Sequence, residues 1–269
     1  MKRSNRLVVL TEYFLENPRK HIQLPYFVEL CDTTKSSVSE DLDIIDSVFK
    51  LQGIGHLERT TGASGGVKFI PEYSSEKSLA FIDELSKRLE DPSRILPGGY
   101  LYMTDILGDP ATVREIGRIF ASRFSKLDID VVVTAATKGI PLAYAVASFL
   151  QVPVVIVRRD PQVTEGSSVS INYVSGSSRK IQTMVLPKRS LKEGSNVCII
   201  DDFMKAGGTI NGMISLLQEF NADVKAIGVL AEADDEEEER VVNHYTSLIK
   251  IKKLDMVNKE ILIEPGNFA

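Results

Sequence analysis

Length, composition and charge narrow the class of protein before any motif is considered. The chain has 269 residues, of which 43% are hydrophobic and 26% charged, and its formal net charge is −5. This length favours two domains of ordinary size, and the composition is that of a globular protein rather than a fibrous or disordered one. Because nonspecific nucleic-acid affinity comes mainly from Lys and Arg, the negative charge excludes a generic polyanion binder.

The cysteines and the N-terminus indicate a cytoplasmic protein. Cys31 and Cys198 lie far apart in apolar stretches, so they predict buried thiols rather than a disulfide or a zinc site. The cationic N-terminus precedes an apolar run that Thr11 and Glu12 interrupt, which argues against a signal peptide or a membrane span. We therefore expect no membrane partner.

The first part of the chain predicts a small helical domain with a hairpin. Apolar residues recur at helical spacing, and a glycine-rich segment at 62–66 separates two short strands. The expected elements are helices over 4–17, 24–31 and 35–49 and strands over 57–61 and 67–70. A three-residue turn at 32–34 joins two of the helices into a helix-turn-helix. Residues 1–73 are therefore predicted to be a winged-helix DNA-binding domain, with a linker at 71–75.

Residues 74–269 predict a second domain with a parallel α/β sheet. After a helix over 76–90, short apolar runs alternate with amphipathic segments, which is typical of buried parallel strands joined by helices. The expected strands are 131–133, 154–157, 197–200 and 226–230, and the expected helices between them are 112–125, 140–150 and 209–220.

The segment 197–212, VCIIDDFMKAGGTING, carries the clearest chemistry. We expect Asp201 and Asp202 on a solvent-facing loop after the strand, at the edge where open α/β sheets bind ligands. Two adjacent carboxylates can accept hydrogen bonds from the vicinal hydroxyls of a ribose. Gly207 and Gly208 clear the way for backbone N–H groups to reach a phosphate at the start of the next helix.

The string DDFMKAGGT closely resembles the motif with which type I phosphoribosyltransferases bind phosphoribosyl pyrophosphate (PRPP). The resemblance assigns the ribose to the acids and the monophosphate to the loop, through Asp201, Asp202, Phe203, Lys205, Ala206, Gly207, Gly208 and Thr209. It further assigns the pyrophosphate to the string TAATKG, through Ala136, Thr137 and Lys138. Arg158 and Arg159 are candidate pyrophosphate cations, and the polar segment 160–190 resembles the flexible hood loop of the family. The alternatives are an ordinary connection at 134–139 and exposed strand-end arginines.

The whole chain resembles the purine operon repressor family of Gram-positive bacteria. Its most specific strings are SVSINYVSGSSRKIQTM and DDFMKAGGTINGM, with KSSVSEDL and GASGGV in the front domain. The resemblance implies a homodimeric regulator of purine biosynthesis and transport genes that binds palindromic operator DNA. It also implies PRPP as effector, with or without magnesium, and places Tyr100 beside the effector site.

The expected DNA contacts lie at the start of the third helix and in the wing. Recognition helices read bases with their N-terminal residues, which here are Lys35, Ser36, Ser37 and Ser39. The expected phosphate contacts are Arg59, Lys68, Lys2, Arg3 and Arg6. Helix capping by Ser36 with Ser39 is the alternative. Residues 1–73 hold nine cationic and ten acidic residues, so only clustering of the cations favours DNA.

Two other functions remain open from sequence alone: an active purine phosphoribosyltransferase with an extra domain, and a protein-binding winged helix. In the hypoxanthine enzymes that the chain resembles, an acid occupies the position of Lys205, and a cation cannot act as that carboxylate. Adenine and xanthine enzymes lack this acid too, so the departure weakens the enzymatic interpretation without excluding it. The front domain weighs more, and we expect no catalytic residues. His21, His56 and His244 have no metal-like spacing, so no metal site is predicted. The acidic run 234–239 is expected to be a solvated helix start.

Overall fold

The computed structural model describes residues 1–62, 65–161, 163–174, 181–234 and 240–268. Its helices are Arg3–Glu16 (α1), Leu24–Cys31 (α2), Lys35–Leu51 (α3), Ser75–Leu89 (α4), Thr104–Gly108 (α5), Pro110–Arg123 (α6), Ile140–Leu150 (α7) and Gly208–Gln218 (α8). Its strands are Ile22–Gln23 (β1), Gly55–Thr60 (β2), Gly66–Pro71 (β3), Ile95–Leu96 (β4), Tyr100–Leu101 (β5), Val131–Ala135 (β6), Val154–Val157 (β7), Ser168–Val174 (β8), Ile181–Pro187 (β9), Asn196–Met204 (β10), Asp223–Ala233 (β11), Thr246–Asp255 (β12) and Glu260–Pro265 (β13).

The first three helices and the first sheet form a winged helix, as predicted. The sheet has the order β1-β3-β2, and β2 pairs antiparallel with β3 so that Leu57 lies opposite Phe69. Phe14, Phe27 and Leu42 are fully buried in one core with these strands. Apolar residues at helical spacing on each helix produce this core, because each helix buries one stripe of its surface. The hairpin tip at Ala63 and Ser64 lies outside the described residues.

The second domain is built on a six-stranded sheet with the order β13-β12-β11-β10-β6-β7. All pairs are parallel except β12 with β13. Alternate residues of β10 face opposite layers: Cys198 and Ile200 pack in the core that contains α6 and α7, whereas Ile199 packs with α8. Burial on both faces explains why the central strands are continuously apolar.

One expectation about this domain was wrong, namely the position of the acid pair. Strand β10 continues through Asp201 and Asp202 to Met204, so the acids belong to the strand and do not follow it on a solvent-facing loop. The long segment 160–190 contains the antiparallel pair β8 and β9. Most of the acidic run, residues 235–239, lies outside the described residues, so the expected helix start stays a prediction. Asp234 follows β11, its carboxylate accepts hydrogen bonds from Lys250 and Lys252, and residues 240–245 are not helical.

The expected linker is an anchored joint. The backbone N–H of Tyr73 donates to Ser122 Oγ at 3.0 Å, and Arg19 donates to the carbonyl of Ser125 at 3.2 Å, so both contact the C-terminal end of α6. The guanidinium of Arg118, also on α6, lies over the ring of Tyr73 at 5.2 Å and over that of Phe149 at 5.8 Å. We call these contacts the domain joint. It connects the winged helix to α6 and, through Phe149, to α7.

The described part of the chain contains no helix that combines the length and the apolar character needed to cross a membrane.

Candidate functional site

Two adjacent carboxylates lie at the carboxyl end of the central strand β10. Asp201 is only 6% exposed, whereas Asp202 is half-buried, and the N–H of Asp202 donates to Asp201 Oδ1 at 3.0 Å. Burial raises the pKa of Asp201 well above its usual range, and repulsion from Asp202 adds to the shift. Burial also raises the pKa of Asp202, although Asp201 and Lys138 oppose the rise. Keeping both carboxylates ionised in this position costs free energy, and hydrogen bonds from ligand hydroxyl groups would offset that cost.

The glycine loop after β10 forms the N-terminus of α8. Gly207 has a φ of +87° and precedes the first turn of the helix. A side chain there would be strained by this φ and would meet Val242 Cγ2 at 3.1 Å. A cradle of about 60 Å³ lies among the residues 203–210. The helix start therefore presents backbone N–H groups to a small open site, as anion binding requires.

A second loop meets the acids from the neighbouring strand. Residues 136–139 connect β6 to α7, and Thr137 and Lys138 are exposed. A Cβ added at Gly139 would lie 2.3 Å from Thr134 Oγ1 and 3.0 Å from Asp201 Oδ1, so only glycine fits between them. The buried hydroxyl of Thr134 has no hydrogen-bond partner among the described residues. Because β6 and β10 are parallel neighbours, both loops emerge at one edge of the sheet.

A cavity of about 700 Å³ opens at this edge. Lys138, Asp202, Phe203 and Lys205 line one side of it, and the hairpin of β4 and β5 closes another. Tyr100, on β5, is 63% exposed and lines the cavity with Pro97, Gly98 and Gly99. Ala233, Ile251 and Leu254 give the cavity an apolar wall. Of the described residues, no three His, Cys, Asp or Glu side chains are grouped as a metal site would need.

Arg158 is not among the residues that line this cavity. Its backbone bridges to Val185 of β9, and its side chain faces Glu165 at 3.5 Å. The hairpin of β8 and β9 lies against α8, because a Cβ at Gly212 would come within 2.9 Å of Tyr173 Cγ. The hood interpretation of 160–190 stays a prediction, and residues 175–180 of this segment lie outside the described residues.

Most of the expected DNA-contacting cations are held by carboxylates of their own domain. Arg3 and Arg6 contact Asp41, which is fully buried, at 3.1 and 2.6 Å. Arg6 is itself mostly covered, and its expected role as a phosphate contact stays a prediction. In the wing, Arg59 pairs with Asp43 at 2.7 Å, and Lys68 pairs with Glu58 at 3.2 Å.

The start of α3 keeps its hydroxyl groups at the surface. Thr34, not Ser36 with Ser39, caps the helix: its Oγ1 accepts from the N–H of Ser37 at 3.3 Å and lies 2.9 Å from Ser36 Oγ. Ser39 lies 3.5 Å from Arg59 Nη1. Lys35 is exposed, as is Lys2 before α1, and neither forms an ion pair with a described residue. The first turn of α3 is therefore a candidate nucleic-acid interface.

Comparison with known proteins agrees with both halves of the chain. Residues 2–71 match the family model "Bacterial purine repressor, N-terminal", and residues 103–264 match "Phosphoribosyl transferase domain". The "Purine biosynthesis transcriptional repressor PurR" of Bacillus subtilis (strain 168) is 58% identical over 267 residues, which cover 99% of this chain and 93% of that protein. The chain belongs to the bacterial purine repressor family.

Two further relatives show how this purine repressor family member is assembled. The "Purine biosynthesis transcriptional activator PurR" of Lactococcus lactis subsp. lactis is 46% identical, and the alignment covers 99% of this chain and 98% of that protein. A xanthine phosphoribosyltransferase of Agathobacter rectalis is 32% identical, but the alignment covers only 63% of this chain, against 94% of that enzyme. The enzyme relative therefore accounts for less of the chain than the regulators do.

Solved structures support the fold of the second domain of this family member. An adenine phosphoribosyltransferase from Thermoanaerobacter pseudethanolicus aligns with a TM-score of 0.53 at 21% identity, covering 63% of this chain and 99% of that one. The predicted family and fold class are confirmed. Sequence reasoning did not single out Thr134, Gly139 or the apolar wall; the string Thr-Ala-Ala-Thr-Lys-Gly gave the only available signal, because it ends in a glycine before a helix.

Proposed function

We propose that this chain is a homodimeric DNA-binding regulator of purine biosynthesis and transport genes that takes PRPP as its effector and performs no chemistry on it. One observation carries the proposal: an acid pair, a glycine loop at a helix N-terminus and a second cationic loop meet at one edge of the sheet. Lys138, Asp202 and Lys205 line the larger cavity at this edge, and residues 203–210 form the small cradle. PRPP has a ribose, a monophosphate and a pyrophosphate, and each of these groups finds complementary chemistry there.

The ribose would lie against Asp201 and Asp202. Both carboxylates accept hydrogen bonds when ionised, and the 2- and 3-hydroxyls of a ribose supply two donors at matching spacing. The monophosphate would be held by the N–H groups of residues 206–209 and by the positive end of α8. The pyrophosphate would face Ala136, Thr137 and Lys138 at the start of α7, where Lys138 adds a positive charge.

Magnesium fits this site only as a companion of the ligand. The chain offers two adjacent carboxylates and no third grouped acid among the described residues, so phosphate oxygens would have to complete the coordination of Mg²⁺. We expect PRPP affinity to rise when Mg²⁺ is added and the free protein to bind Mg²⁺ weakly. Calorimetric titrations of PRPP with and without Mg²⁺ test this.

The DNA partner is proposed to be a palindromic operator read by the first turn of α3. Its Lys35, Ser36 and Ser37 lie at the position from which winged helices reach base edges, and a two-fold pair of chains would suit a two-fold DNA site. Ser39 belongs to the same base-reading set. The phosphate contacts would come from Arg59, Lys68, Lys2 and Arg3. Regulation rather than catalysis is supported by the relatives that span the whole chain, which are named as transcription regulators.

The test measures operator binding and PRPP binding on the same protein. Saturating PRPP should weaken operator affinity by roughly 5- to 150-fold, and operator DNA should weaken PRPP affinity by the same factor. Equally charged pyrophosphate is the control, since salt alone weakens DNA binding. If PRPP does no more than pyrophosphate, control by this effector is disproved; turnover of a purine base with PRPP would instead favour the phosphoribosyltransferase function.

A further inference from the structure

The back of the phosphate loop is supported by a segment outside the motif. Residues 240–245 run behind it, and the N–H of Val241 donates to the carbonyl of Ala206 at 3.0 Å. The buried side chain of Val242 packs toward Gly207 and shares a core with Met204. Two of the loop's residues therefore rest on backbone and side chain that the sequence motif does not include.

A buried carboxylate anchors this segment. Glu232, near the end of β11, is 3% exposed and lies opposite Met204 in the parallel register. Its carboxylate forms an ion pair with Arg240 and accepts hydrogen bonds from Tyr245 Oη at 2.7 Å and Ser247 Oγ at 2.5 Å. Arg240 also donates to the carbonyl of Ala233 at 3.0 Å. We call these four side chains, Glu232, Arg240, Tyr245 and Ser247, the rear network.

The rear network fixes both ends of the supporting segment. Arg240 precedes Val241, and Tyr245 ends the segment, where the Arg240 guanidinium lies 5.5 Å from the centre of its ring. A buried carboxylate costs free energy unless donors satisfy it, and apolar residues could fill the same space. Here the charged Glu232 lies where its partners hold the backbone of Val241, which contacts Ala206.

We propose that Glu232 and Arg240 are positioning residues for the phosphate loop: they hold Val241 against Ala206 and so keep the N–H groups of the loop aimed at a sugar phosphomonoester. The inference rests on the proposed function, because it concerns the ligand of the same site. It predicts that damage to the rear network weakens only ligands that carry a phosphomonoester.

Val241 offers the sharpest test, because its side chain is 54% exposed and only its N–H contacts the loop. Val241→Pro removes that donor and should weaken PRPP binding roughly 3- to 10-fold, which is the usual contribution of one hydrogen bond. Val241→Ala keeps the N–H and should bind PRPP like the wild type. Calorimetry with PRPP, ribose 5-phosphate and pyrophosphate measures both variants. Equal PRPP affinity in the two would overturn the inference.

Arg240 tests the network itself. Arg240→Met should weaken PRPP and ribose 5-phosphate by the same factor, roughly 10-fold, and leave pyrophosphate and operator affinity unchanged; Arg240→Lys, which keeps a cation for Glu232, should recover most of the loss. A parallel loss of pyrophosphate affinity would show a general defect of the domain and overturn the inference. A wild-type protein that fails to bind PRPP would instead contradict the proposed function.

Discussion

The two ligand-binding regions of the molecule treat charge in opposite ways. In the winged helix, Arg3, Arg6 and Arg59 are already paired with Asp41 or Asp43. At the candidate site, Asp201 and Asp202 face each other as like charges, and both have raised pKa values. Several cations of the DNA-binding domain are balanced by carboxylates of the same domain, whereas the acid pair of the candidate site repels itself.

This difference separates the two binding events energetically. A phosphate that recruits Arg59 must displace an exposed carboxylate, which costs little because exposed ion pairs contribute at most about 1 kcal/mol. A ligand that donates to Asp201 relieves a buried group, and hydrogen bonds to charged groups contribute about 1.5 to 3 kcal/mol each. Effector binding should therefore depend on a few residues, and operator binding on many small contributions.

The largest expected effect comes from neutralising the acid pair. Asp201→Asn with Asp202→Asn keeps the side-chain shapes, which matters because Asp201 is buried, but removes the charge that accepts ribose hydroxyls. We expect PRPP affinity to fall roughly 100-fold or more, with operator affinity unchanged. Calorimetry and gel shifts measure the two. PRPP affinity within threefold of the wild type would show that the acids do not contact the ligand.

The domain joint is the next place at which to separate the two regions. Arg19→Met and Arg118→Met remove its guanidinium contacts while leaving both ligand sites untouched. The factor by which PRPP changes operator affinity should shrink roughly 2- to 30-fold, with each separate affinity nearly constant. Arg123→Met is the matched control, because Arg123 lies on the same helix but contacts Phe268 of its own domain. Unchanged coupling in both joint variants would assign transmission to another route.

Freeing a wing cation should have a smaller effect of opposite sign. Asp43→Asn releases Arg59, so operator affinity should rise about 2- to 5-fold, and the slope of log affinity against log salt should steepen by up to about 1. Asp83→Asn is the control, since it removes a similarly exposed carboxylate, paired with Lys87, from α4 of the second domain. If both variants change operator affinity alike, net charge rather than Arg59 is responsible.

The smallest effect concerns the pH dependence of the joint. Burial, together with the nearby carboxylate of Glu115, raises the pKa of Tyr73 from 10.0 to about 12. The unfolded chain therefore ionises this tyrosine first, so its contribution is complete below pH 10 and is lost as the pH rises toward 12. Thermal melts across this range should show a shallower decline in Tyr73→Phe than in the wild type. Identical slopes would exclude Tyr73 from the transition.

Local patterns predicted the helices better than the strands. Helices α2 and α7 and strand β7 have the predicted boundaries, because each is a continuous apolar segment between clear breaks. Strands β12 and β13 were not predicted, since lysines at 250, 252 and 253 interrupt the apolar run of β12. Charged residues also hid the true end of β10, where pairing with β11 continues as far as Met204.

The candidate site was predictable as a motif but not as an arrangement. The string from Asp201 to Thr209 predicts its own chemistry, because neighbours in sequence supply all its parts. The close approach of Gly139 to Thr134 and Asp201 depends on the order of strands in the sheet, which no local pattern encodes. The pairing of Arg6 with Asp41 depends likewise on how α1 crosses α3. Long-range contacts of this kind decide which charges remain available.

The contacts of Tyr73 and Arg19 at the end of α6 bear on the spacing between the two half-sites of an operator. These contacts anchor the winged helix to the second domain, so the two domains are not joined by a free linker alone. In a two-fold pair of such chains, the dimer interface would then fix the distance between the two recognition helices. The two half-sites would therefore have to lie a whole number of helical turns apart, with about 34 Å per turn. An insertion of half a turn would move one half-site to the opposite side of the DNA, away from its recognition helix.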